Sequence, residues 1–416
     1  MSQKQPYLSV LEAQAIITDR LKPLAGESVP LAQAANRVLA APISASIDLP
    51  PFDNSSVDGF AVRLNDIQSA SAGHGVSLPV VMDVPAGVFP QTPLLPGQAA
   101  RVMTGAPVPQ GADCVIPIEE TNYDEKGYAA QANPQITVFT PGSAGAAIRP
   151  QGQDIRNGEA VFSPGQVISS QVLGLLATLG VDPVHVYAQP RVAVLATGDE
   201  LVAPSEPLSP GKIRESNGIT LSALAAKAGA LALQLPHAPD QPAEIIRRLD
   251  SALAQGADLI VTSAGVSVGA FDYVRKVIED NGGLNFWRVN LRPGKPLAFG
   301  QYRGCPVIGL PGNPVSSFVG FHLFVLPAIQ KLAGSSGAPR LLLPAVLEEP
   351  VESDGRETYI RAILENKDGK LMARQSGHQG SGNMVALVRS NALLILPSGV
   401  KSLPAGATIT AWLIDG

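Results

Sequence analysis

The chain has 416 residues, of which 45% are hydrophobic and 16% charged, with a formal net charge of −5. This length predicts two or three domains, and the low charged fraction excludes a disordered chain or a long coiled coil. The slight acidity argues against a general nucleic-acid binder and leaves room only for a local basic pocket. The 41 glycines and 37 prolines have no three-residue period, so they indicate many turns between short strands rather than collagen.

Cysteine and histidine content narrows the class further. Two cysteines exclude a disulfide framework, and the five scattered histidines form no zinc-binding pattern. The polar start of the chain lacks the apolar core of a signal peptide, and we find no run of about 18 apolar residues. We therefore expect a soluble, cytoplasmic protein without a membrane span.

The first 190 residues change character twice. The capping-box pattern Ser9–Glu12 opens a predicted helix. Over residues 43–141, short apolar runs separated by Gly and Pro are typical of a small barrel or sandwich. Helical character returns at 169–179 and leads to a predicted strand at 182–187. This return predicts one domain built from two separated pieces of chain.

Beyond residue 190, predicted strands and helices alternate. This alternation predicts a parallel, doubly wound sheet that binds ligands at the carboxyl ends of its strands. The predicted strands are 191–196, 232–235, 258–262 and 306–310; the predicted helices are 217–228, 242–255, 271–281 and 314–332, with Ser216 as N-cap of the first. After a linker at 334–339, strand-like runs at 340–347, 357–364, 370–374, 392–396 and 407–413 predict an all-β module.

The segment 309–317, Gly-Leu-Pro-Gly-Asn-Pro-Val-Ser-Ser, joins a predicted strand to a helix. Gly312 permits a tight turn and Pro314 pre-sets the first helical turn, while the helix N-terminus and the Ser316 hydroxyl offer donors to an anion. No Gly-Lys-Ser/Thr follows, so the segment is not a Walker loop. Taken alone, it is equally well interpreted as a capped turn.

Cations precede this segment. The run 288–296, Arg-Val-Asn-Leu-Arg-Pro-Gly-Lys-Pro, places Arg292 and Lys295 on a Pro-Gly turn with Arg288 close in sequence. Charges on such a turn are commonly only solvated. Several cations beside a helix N-terminus, however, form a pocket suited to an oxyanion or phosphate.

Carboxylates follow three of the predicted strands. Asp199 and Glu200, Asp240, and Asp272 stand at the sheet edge where ligands bind. Each acid alone is more commonly a helix cap or a solvated charge. Oxygen ligands with few histidines favour Mg²⁺, held by one or two carboxylates plus substrate oxygens. With the cationic turn, they predict a site that handles metal and phosphate.

Other segments are rich in polar residues. The runs 50–62, 101–113 and 148–155 hold more polar side chains than simple turns require, and Arg361 with 376–382 adds donors in the C-terminal module. Composition alone does not distinguish these runs from ordinary hairpin loops, and His378 alone is more often an ordinary surface histidine.

Six segments occur in an order that closely resembles the molybdopterin molybdenumtransferase family, which includes bacterial MoeA and the gephyrin E-domain. They are FDNSSVDGFAV, RVMTGAPVPQGAD, ATGDEL, SAGVSVGAFDY, RPGKPLAFG and GLPGNPVSS. The resemblance spans essentially the whole chain and implies a multidomain α/β plus β fold. The implied parts are a discontinuous linking domain I (1–45 and 142–187), a β-rich insertion domain II (46–141), a doubly wound molybdopterin-binding α/β domain III (188–333) and a C-terminal β-barrel domain IV (334–416).

The same resemblance implies an activity. The family inserts molybdate into adenylylated molybdopterin with Mg²⁺ and releases AMP, the metal-insertion step of molybdenum cofactor biosynthesis. It further implies a homodimer whose active cleft is shared between subunits. A molybdopterin adenylyltransferase and cofactor-accepting proteins are the implied partners; nucleic acid and membrane are not.

Site residues follow from the matched motifs. The expected catalytic residues are Asp58, Thr104, Asp154, Glu200, Asp240 and Asp272, with Asp240 and Asp272 as metal ligands. The expected substrate-binding residues are Arg288, Arg292, Lys295, Pro296, Pro311, Gly312, Asn313, Pro314, Ser316, Arg361 and Ser381.

Departures from the pattern are small, and two alternatives stay open. Ala264, Val57 and Arg288 stand where Gly, Met and Lys are usual, and none of these changes removes a charge or a ligand. A sister adenylyltransferase is one alternative, although such enzymes lack the 52–62 loop and usually carry Gly-Gly-Thr-Gly where this chain has Ser-Ala-Gly-Val. The other is a non-enzymatic gephyrin-type scaffold, for which no interaction tail is evident. The sequence does not distinguish molybdate from tungstate.

Overall fold

The computed structural model describes residues 7–126, 134–265, 273–337 and 340–414. The chain divides into two compact units. The larger comprises Met1–Ala41, Pro164–Gly174 and Asp182–Gly416, and the smaller comprises Pro42–Ser163 and Leu175–Val181. Both are thus assembled from separate pieces of chain, while the four finer domain boundaries inferred above stay predictions.

The smaller unit is built on one five-stranded sheet in the described part of the chain. The strands lie in the order Cys114–Pro117, Gly59–Val62, Ala99–Val102, Val76–Val84, Gln135–Val138. Neighbours are antiparallel except for Ala99–Val102 and Val76–Val84, which are parallel. Phe60 and Val62 belong to one apolar cluster and Ala61 to another, so both faces of the sheet are buried. The sequence had instead suggested a barrel or sandwich.

Short elements complete this unit. They are the paired strands Ile43–Ser44 with Ala160–Phe162, the paired strands Asn54–Ser55 with Ile148–Arg149, the helix Leu64–Ile67 and the 3₁₀ turn Ile118–Glu120. The helix Ser170–Thr178 begins in the larger unit and ends in the smaller.

Gly59 begins the second strand of this sheet, an interior strand, directly after Asp58. A Cβ atom at this position would lie 2.2 Å from the carbonyl oxygen of Ile116 on the neighbouring strand. Real Cβ atoms do not approach a backbone oxygen so closely, and the strand cannot move without breaking its ladder. The sheet therefore requires glycine here. The position of this glycine also fixes the position of Asp58, the residue immediately before the strand.

Gly59→Ala is expected to lower the free energy of unfolding by about 1–3 kcal/mol, because the added methyl overpacks the sheet. Urea denaturation followed by circular dichroism measures the change. Gly73→Ala is the matched control, since a Cβ there meets nothing within 4 Å. Equal stability of the two variants would contradict the packing argument.

The larger unit contains a six-stranded mixed sheet among its described residues. The strand order is Leu231–Gln234, Arg191–Ala196, Leu259–Ser263, Cys305–Leu310, Ala298–Tyr302, Leu284–Trp287. The first four strands are parallel, as predicted, and the last two are antiparallel. Strand–helix alternation does not reveal these two strands, because a tight turn at Arg303 and Gly304 reverses the chain without a helix.

Helices pack on both faces of this sheet. Val192 and Val194 join one apolar cluster, and Ala193 and Leu195 the other. The helices are Asn217–Lys227, Pro242–Ala254, Tyr273–Asn281 and Pro314–Leu332. The predicted doubly wound α/β fold is confirmed.

Two short strand pairs lie outside this sheet. Gly26–Val29 pairs with Val184–Tyr187, and Leu201–Val202 pairs with Ile213–Arg214.

The helix Pro314–Leu332 widens into a π-helical turn at Phe321–Val325. Pro327 lacks the N–H that would bond to the carbonyl of Leu323 in a regular α-helix. Gln14 Nε2, from the N-terminal helix Val10–Asp19, donates to that carbonyl at 2.6 Å. The helix is long and apolar enough to cross a membrane, yet 72% of its apolar stretch is buried inside the protein. It is a core helix, and the N-terminal helix, whose predicted Ser9–Glu12 capping box is confirmed, covers it.

The C-terminal strands close into a barrel. Leu342–Leu347, Glu357–Lys367, Lys370–Gln375, Ala392–Leu396 and Thr408–Leu413 pair in a continuous ring. Val351–Glu352 pairs with Ser402–Leu403, and a helix that the sequence analysis missed spans Met384–Arg389. The predicted C-terminal β-barrel is confirmed.

Candidate active site

A cavity of about 520 Å³ gathers positive side chains from the α/β sheet and the barrel. Arg292 and Lys295 come from the Pro-Gly turn, and Arg361 from the barrel strand Glu357–Lys367. Ser316, in the first turn of the core helix, and Ser381 complete the polar wall. The structure thus brings together residues that are separated by up to a fifth of the chain.

The barrel fixes the cationic turn in place. Leu291 and Arg292 form a short strand that pairs in parallel with Glu357 and Thr358. Arg356 Nη1 donates to the Leu291 carbonyl at 2.8 Å, while the rest of its guanidinium forms an ion pair with Asp354. The hydrogen bonds from Arg356, with a smaller contribution from the charge of Arg292, lower the pKa of Asp354 to about 2. Asp354 is therefore ionised at neutral pH and offsets part of the local positive charge.

Arg361 is the most constrained of the cations, with only 1% of its surface exposed. Its Nη1 and Nη2 donate to the carbonyl oxygens of Gly380 and His378, at 3.0 and 3.1 Å. Its Nε is buried without a hydrogen-bond partner among the described residues. Burial lowers the pKa of Arg361, although a guanidinium remains charged in proteins. The 376–382 loop therefore holds a preorganised charge at the cavity wall.

A second cavity, also of about 520 Å³, shares Pro296, Pro311 and Asn313 with the first. Glu200, Gly312 and Pro314 are among its other lining residues. The predicted strand–helix segment thus forms a wall of both cavities. One helix N–H that we expected to face an anion is already used, because Val315 N donates to the Ser381 carbonyl at 3.1 Å.

Two strand ends close tightly beneath the second cavity. Asn217 Nδ2 donates to Ser263 Oγ at 2.8 Å and to the Gly312 carbonyl at 2.7 Å. A Cβ atom on Gly312 would lie 3.1 Å from the Ala264 Cβ, so glycine permits this approach. Ala264 has a φ of 76°, in the left-handed region that favours glycine, which accounts for glycine being usual there in the resembled family.

Carboxylates cluster at the rim of the sheet. Asp240 N donates to Asp199 Oδ1 at 3.0 Å. Burial, followed by the negative charges of Asp199 and Glu200, raises the pKa of Asp240. No group of three Asp, Glu, His or Cys residues that could hold a metal ion occurs within the described ranges, and Asp272 lies outside them. The set nevertheless fits Mg²⁺, since this ion needs one or two carboxylates plus substrate oxygens, and a cation would relieve the crowding of negative charge.

Arg288 is the predicted cation that the structure does not bring to the cavities. Its guanidinium carbon lies 4.1 Å from the ring centroid of Trp287, and that of Arg275 lies 3.9 Å from the same centroid. It lines neither cavity. Arg288 is close to Arg292 in sequence but does not join it in the cavity, because Arg288 follows the strand Leu284–Trp287 at the far edge of the sheet.

The remaining predicted residues lie in the smaller unit. Asp58 Oδ1 accepts hydrogen bonds from Thr104 N and Thr104 Oγ1, both at 2.7 Å. These bonds, the backbone one first, lower the pKa of Asp58, so the exposed carboxyl is ionised. Asp154 is exposed in a loop whose backbone N–H donates to the Leu49 carbonyl at 2.9 Å.

Glu215 was not among the predicted site residues. Its neighbour Ser216 occupies the N-cap position of the helix Asn217–Lys227, as predicted, but its side chain makes no capping bond. Glu215 Oε1 instead accepts from Gly218 N at 2.6 Å, and Glu215 lines the second cavity. The signal was available: an acid three residues before a helical N–H has capping spacing. Arg356 was missed because its acceptor on the cationic turn, the Leu291 carbonyl, is 65 residues away in sequence.

Comparison with known proteins gives full-length matches. The chain is 37% identical over 413 residues to molybdopterin molybdenumtransferase 2 of Mycobacterium tuberculosis, covering 97% of this chain and 99% of that protein. It is 34% identical over 417 residues to molybdopterin molybdenumtransferase of Bacillus subtilis, covering 100% and 96%. The chain belongs to the molybdopterin molybdenumtransferase family.

Family models and a solved structure agree with this membership. The MoeA N-terminal region (domain I and II) matches residues 8–180, a probable molybdopterin binding domain matches 193–331, and the MoeA C-terminal region (domain IV) matches 344–414. The molybdopterin biosynthesis MoeA protein of Pyrococcus horikoshii aligns with a TM-score of 0.81 at 30% identity, covering 98% of this chain and 100% of that one. The predicted family, fold and enzyme class of the molybdenumtransferases are confirmed.

Glu200→Gln is expected to lower the pKa of Asp240 towards its ordinary value, because one of the two nearby negative charges disappears. Carboxyl-carbon NMR of aspartate-labelled protein over a pH series measures it. Glu206→Gln, an exposed acid in the same region, is the control. An unchanged Asp240 pKa in Glu200→Gln would mean that the two carboxylates do not interact.

Proposed function

We propose that the chain inserts molybdate into adenylylated molybdopterin and releases AMP, the metal-insertion step of molybdenum cofactor biosynthesis. One observation carries the proposal: a cavity lined by Arg292, Lys295 and Arg361 adjoins a second cavity with carboxylates at its rim. Family membership and the names of the curated relatives support the same reaction.

Charge accounts for the role of the first cavity. Molybdate is a dianion and would be repelled by the phosphates of an adenylylated substrate. Arg361 is held rigidly by two carbonyls, and the Lys295 ammonium lies 4.7 Å from the Tyr7 ring centroid. Such oriented positive groups in a partly enclosed site bind an oxyanion without large rearrangement. They would place molybdate beside the dithiolene of the substrate.

The second cavity would receive the pterin part of the substrate. The matching molybdopterin-binding domain supports this assignment, as does the cavity's mixture of apolar walls and a few polar groups. The phosphates would then lie near the shared wall at Pro311 and Asn313, between the cations and the carboxylates. Asp240, and by the motif match Asp272, would hold Mg²⁺, which would supply positive charge to the phosphate oxygens during cleavage of the phosphoanhydride.

No covalent nucleophile is required for this reaction. Burial raises the pKa of Cys114 to about 11 and that of Cys305 to about 12, so both thiols stay protonated at neutral pH. The protein's contribution is therefore positioning and charge stabilisation.

The smaller unit would act on a second copy of the chain. Asp58, Thr104 and Asp154 match family motifs, and Asp58 is ionised and exposed. We include in the proposal a cytoplasmic homodimer in which these residues face the cavities of the partner. An adenylyltransferase would supply the substrate, and apoenzymes would receive the product.

Lys295→Ala is expected to weaken molybdate binding by about tenfold or more, since a hydrogen bond to a charged group contributes about 1.5–3 kcal/mol. Equilibrium dialysis with molybdate measures the affinity, and molybdate-dependent AMP release measures the consequence. Lys370→Ala, at an exposed position that begins a barrel strand, is the control. Wild-type AMP release by Lys295→Ala would refute the assignment.

Chelation of divalent ions distinguishes the role of the second cavity from that of the first cavity, which is lined by Arg292, Lys295 and Arg361. Treatment with EDTA is expected to abolish AMP release while leaving molybdate affinity unchanged, because the cationic residues bind molybdate without metal. Adding Mg²⁺ should restore release. Loss of molybdate binding on chelation would place the metal in the cationic cavity instead.

A further inference from the structure

The second cavity contains a buried carboxylate without a cationic partner. Glu215 is only 7% exposed, lines this cavity, and forms no ion pair with any described residue. One of its oxygens accepts the Gly218 N–H at the start of the helix Asn217–Lys227. A carboxylate accepts several hydrogen bonds, so the cap leaves most of its acceptor capacity available to a ligand. Buried charges are normally paired, which makes a donor from the ligand the missing partner.

A second buried polar group faces the same space. Thr197 is fully buried and lines the cavity, and its Oγ1 has no hydrogen-bond partner among the residues that the structure describes. A buried hydroxyl without a hydrogen-bond partner lowers the stability of the fold, and a ligand that forms the missing hydrogen bond removes this cost. Thr197 directly follows the strand Arg191–Ala196, while Glu215 precedes the helix Asn217–Lys227, so two separate parts of the fold contribute polar residues to one cavity.

Part of the wall is apolar and suits the faces of a flat ring, while Glu200, Arg214 and Asn217 are among its other polar residues. Pro296, Pro311 and Pro314 line the cavity together with Leu201 and Ile213. Rigid apolar walls with a few convergent polar groups are typical of sites for planar heterocycles. A metal ion is less favoured at Glu215, because the helix N-terminus already supplies positive potential to this carboxylate.

We propose that Glu215 is a specificity-determining residue that binds the 2-amino and N3–H edge of the substrate's pterin. These two donors are spaced to match one carboxylate, and the charge of Glu215 strengthens both bonds. Thr197 supplies a further hydrogen bond to the ring. This assignment rests on the proposed function, which places molybdopterin in the second cavity, and it adds the residue that distinguishes a 2-amino ring from a 2-oxo ring.

The test compares two small fluorescent probes, pterin and lumazine, which differ by the 2-amino group against a 2-oxo group. Wild-type protein is expected to bind pterin about tenfold or more tightly than lumazine, as charge-assisted hydrogen bonds allow. Glu215→Gln keeps an acceptor for Gly218 N but loses the charge. It is expected to bind pterin about tenfold more weakly and lumazine no more weakly than wild type. Glu206→Gln, on an exposed loop, should match wild type.

The other outcomes overturn the assignment. Equal losses for pterin and lumazine would mean that Glu215 is only structural, and no loss for either would mean that it does not contact the ring. If wild-type protein does not bind pterin more tightly than lumazine, the assignment of Glu215 is also wrong. Thr197→Val breaks no internal hydrogen bond of the described residues and is expected to weaken both probes severalfold; unchanged affinities would remove the cavity as the ring site.

Molybdate binding keeps the two proposals distinguishable. Glu215→Gln should retain wild-type molybdate affinity in equilibrium dialysis, because Glu215 does not line the cationic cavity. A wild-type protein that prefers pterin but releases no AMP with molybdate would refute the proposed function alone. AMP release without any pterin preference would refute the Glu215 assignment alone.

Discussion

Repulsion among like charges is the constraint on which this site depends. Arg292, Lys295 and Arg361 line one cavity. Their positive charges repel one another more strongly there than they would if the side chains were far apart in water. The fold compensates each one differently: backbone carbonyls hold Arg361, a nearby carboxylate faces Arg292, and an aromatic ring lies close to Lys295. A small dianion can bind between all three cations and offset most of their charge, and for this reason oxyanion binding explains the cavity better than a structural ion-pair network does.

The opposite problem occurs at the neighbouring rim. Asp199, Glu200 and Asp240 crowd negative charge, and the raised pKa of Asp240 expresses the cost. The loop from Pro311 to Pro314 separates the two groups of charges and lines both cavities. If the charges met directly, they would pair with one another and bind neither metal nor anion. Rigid prolines and a tight glycine turn keep them apart, so a substrate that carries phosphate can lie between them.

The sequence predicted local structure well where the signal was local. Strand–helix alternation, the Ser9–Glu12 capping box and the barrel strands each depend on residues within a few positions of one another. It also predicted that Lys295 and the 309–317 segment would form one pocket, because the cationic run shortly precedes that segment in sequence. It did not predict the two antiparallel strands, since a turn without a helix gives no alternation to detect. Arg288 shows the limit: four residues from Arg292, it lies against Trp287 instead.

The residues that the sequence did not reveal are those whose role arises from distant contacts. Arg356 resembles any surface arginine until its bond to the Leu291 carbonyl is seen, 65 positions earlier in the chain. The barrel is therefore part of the anion site. It is joined to the cationic turn by that bond and by the parallel pairing of Leu291 and Arg292 with Glu357 and Thr358. The buried Arg361 belongs to the same barrel strand that makes this pairing. One strand thus sets the positions of two of the three cations, and any shift of the barrel against the sheet would change the spacing between Arg361 and Lys295. The structural requirement for the barrel and the chemical requirement for a cage of charges are therefore met by the same contacts.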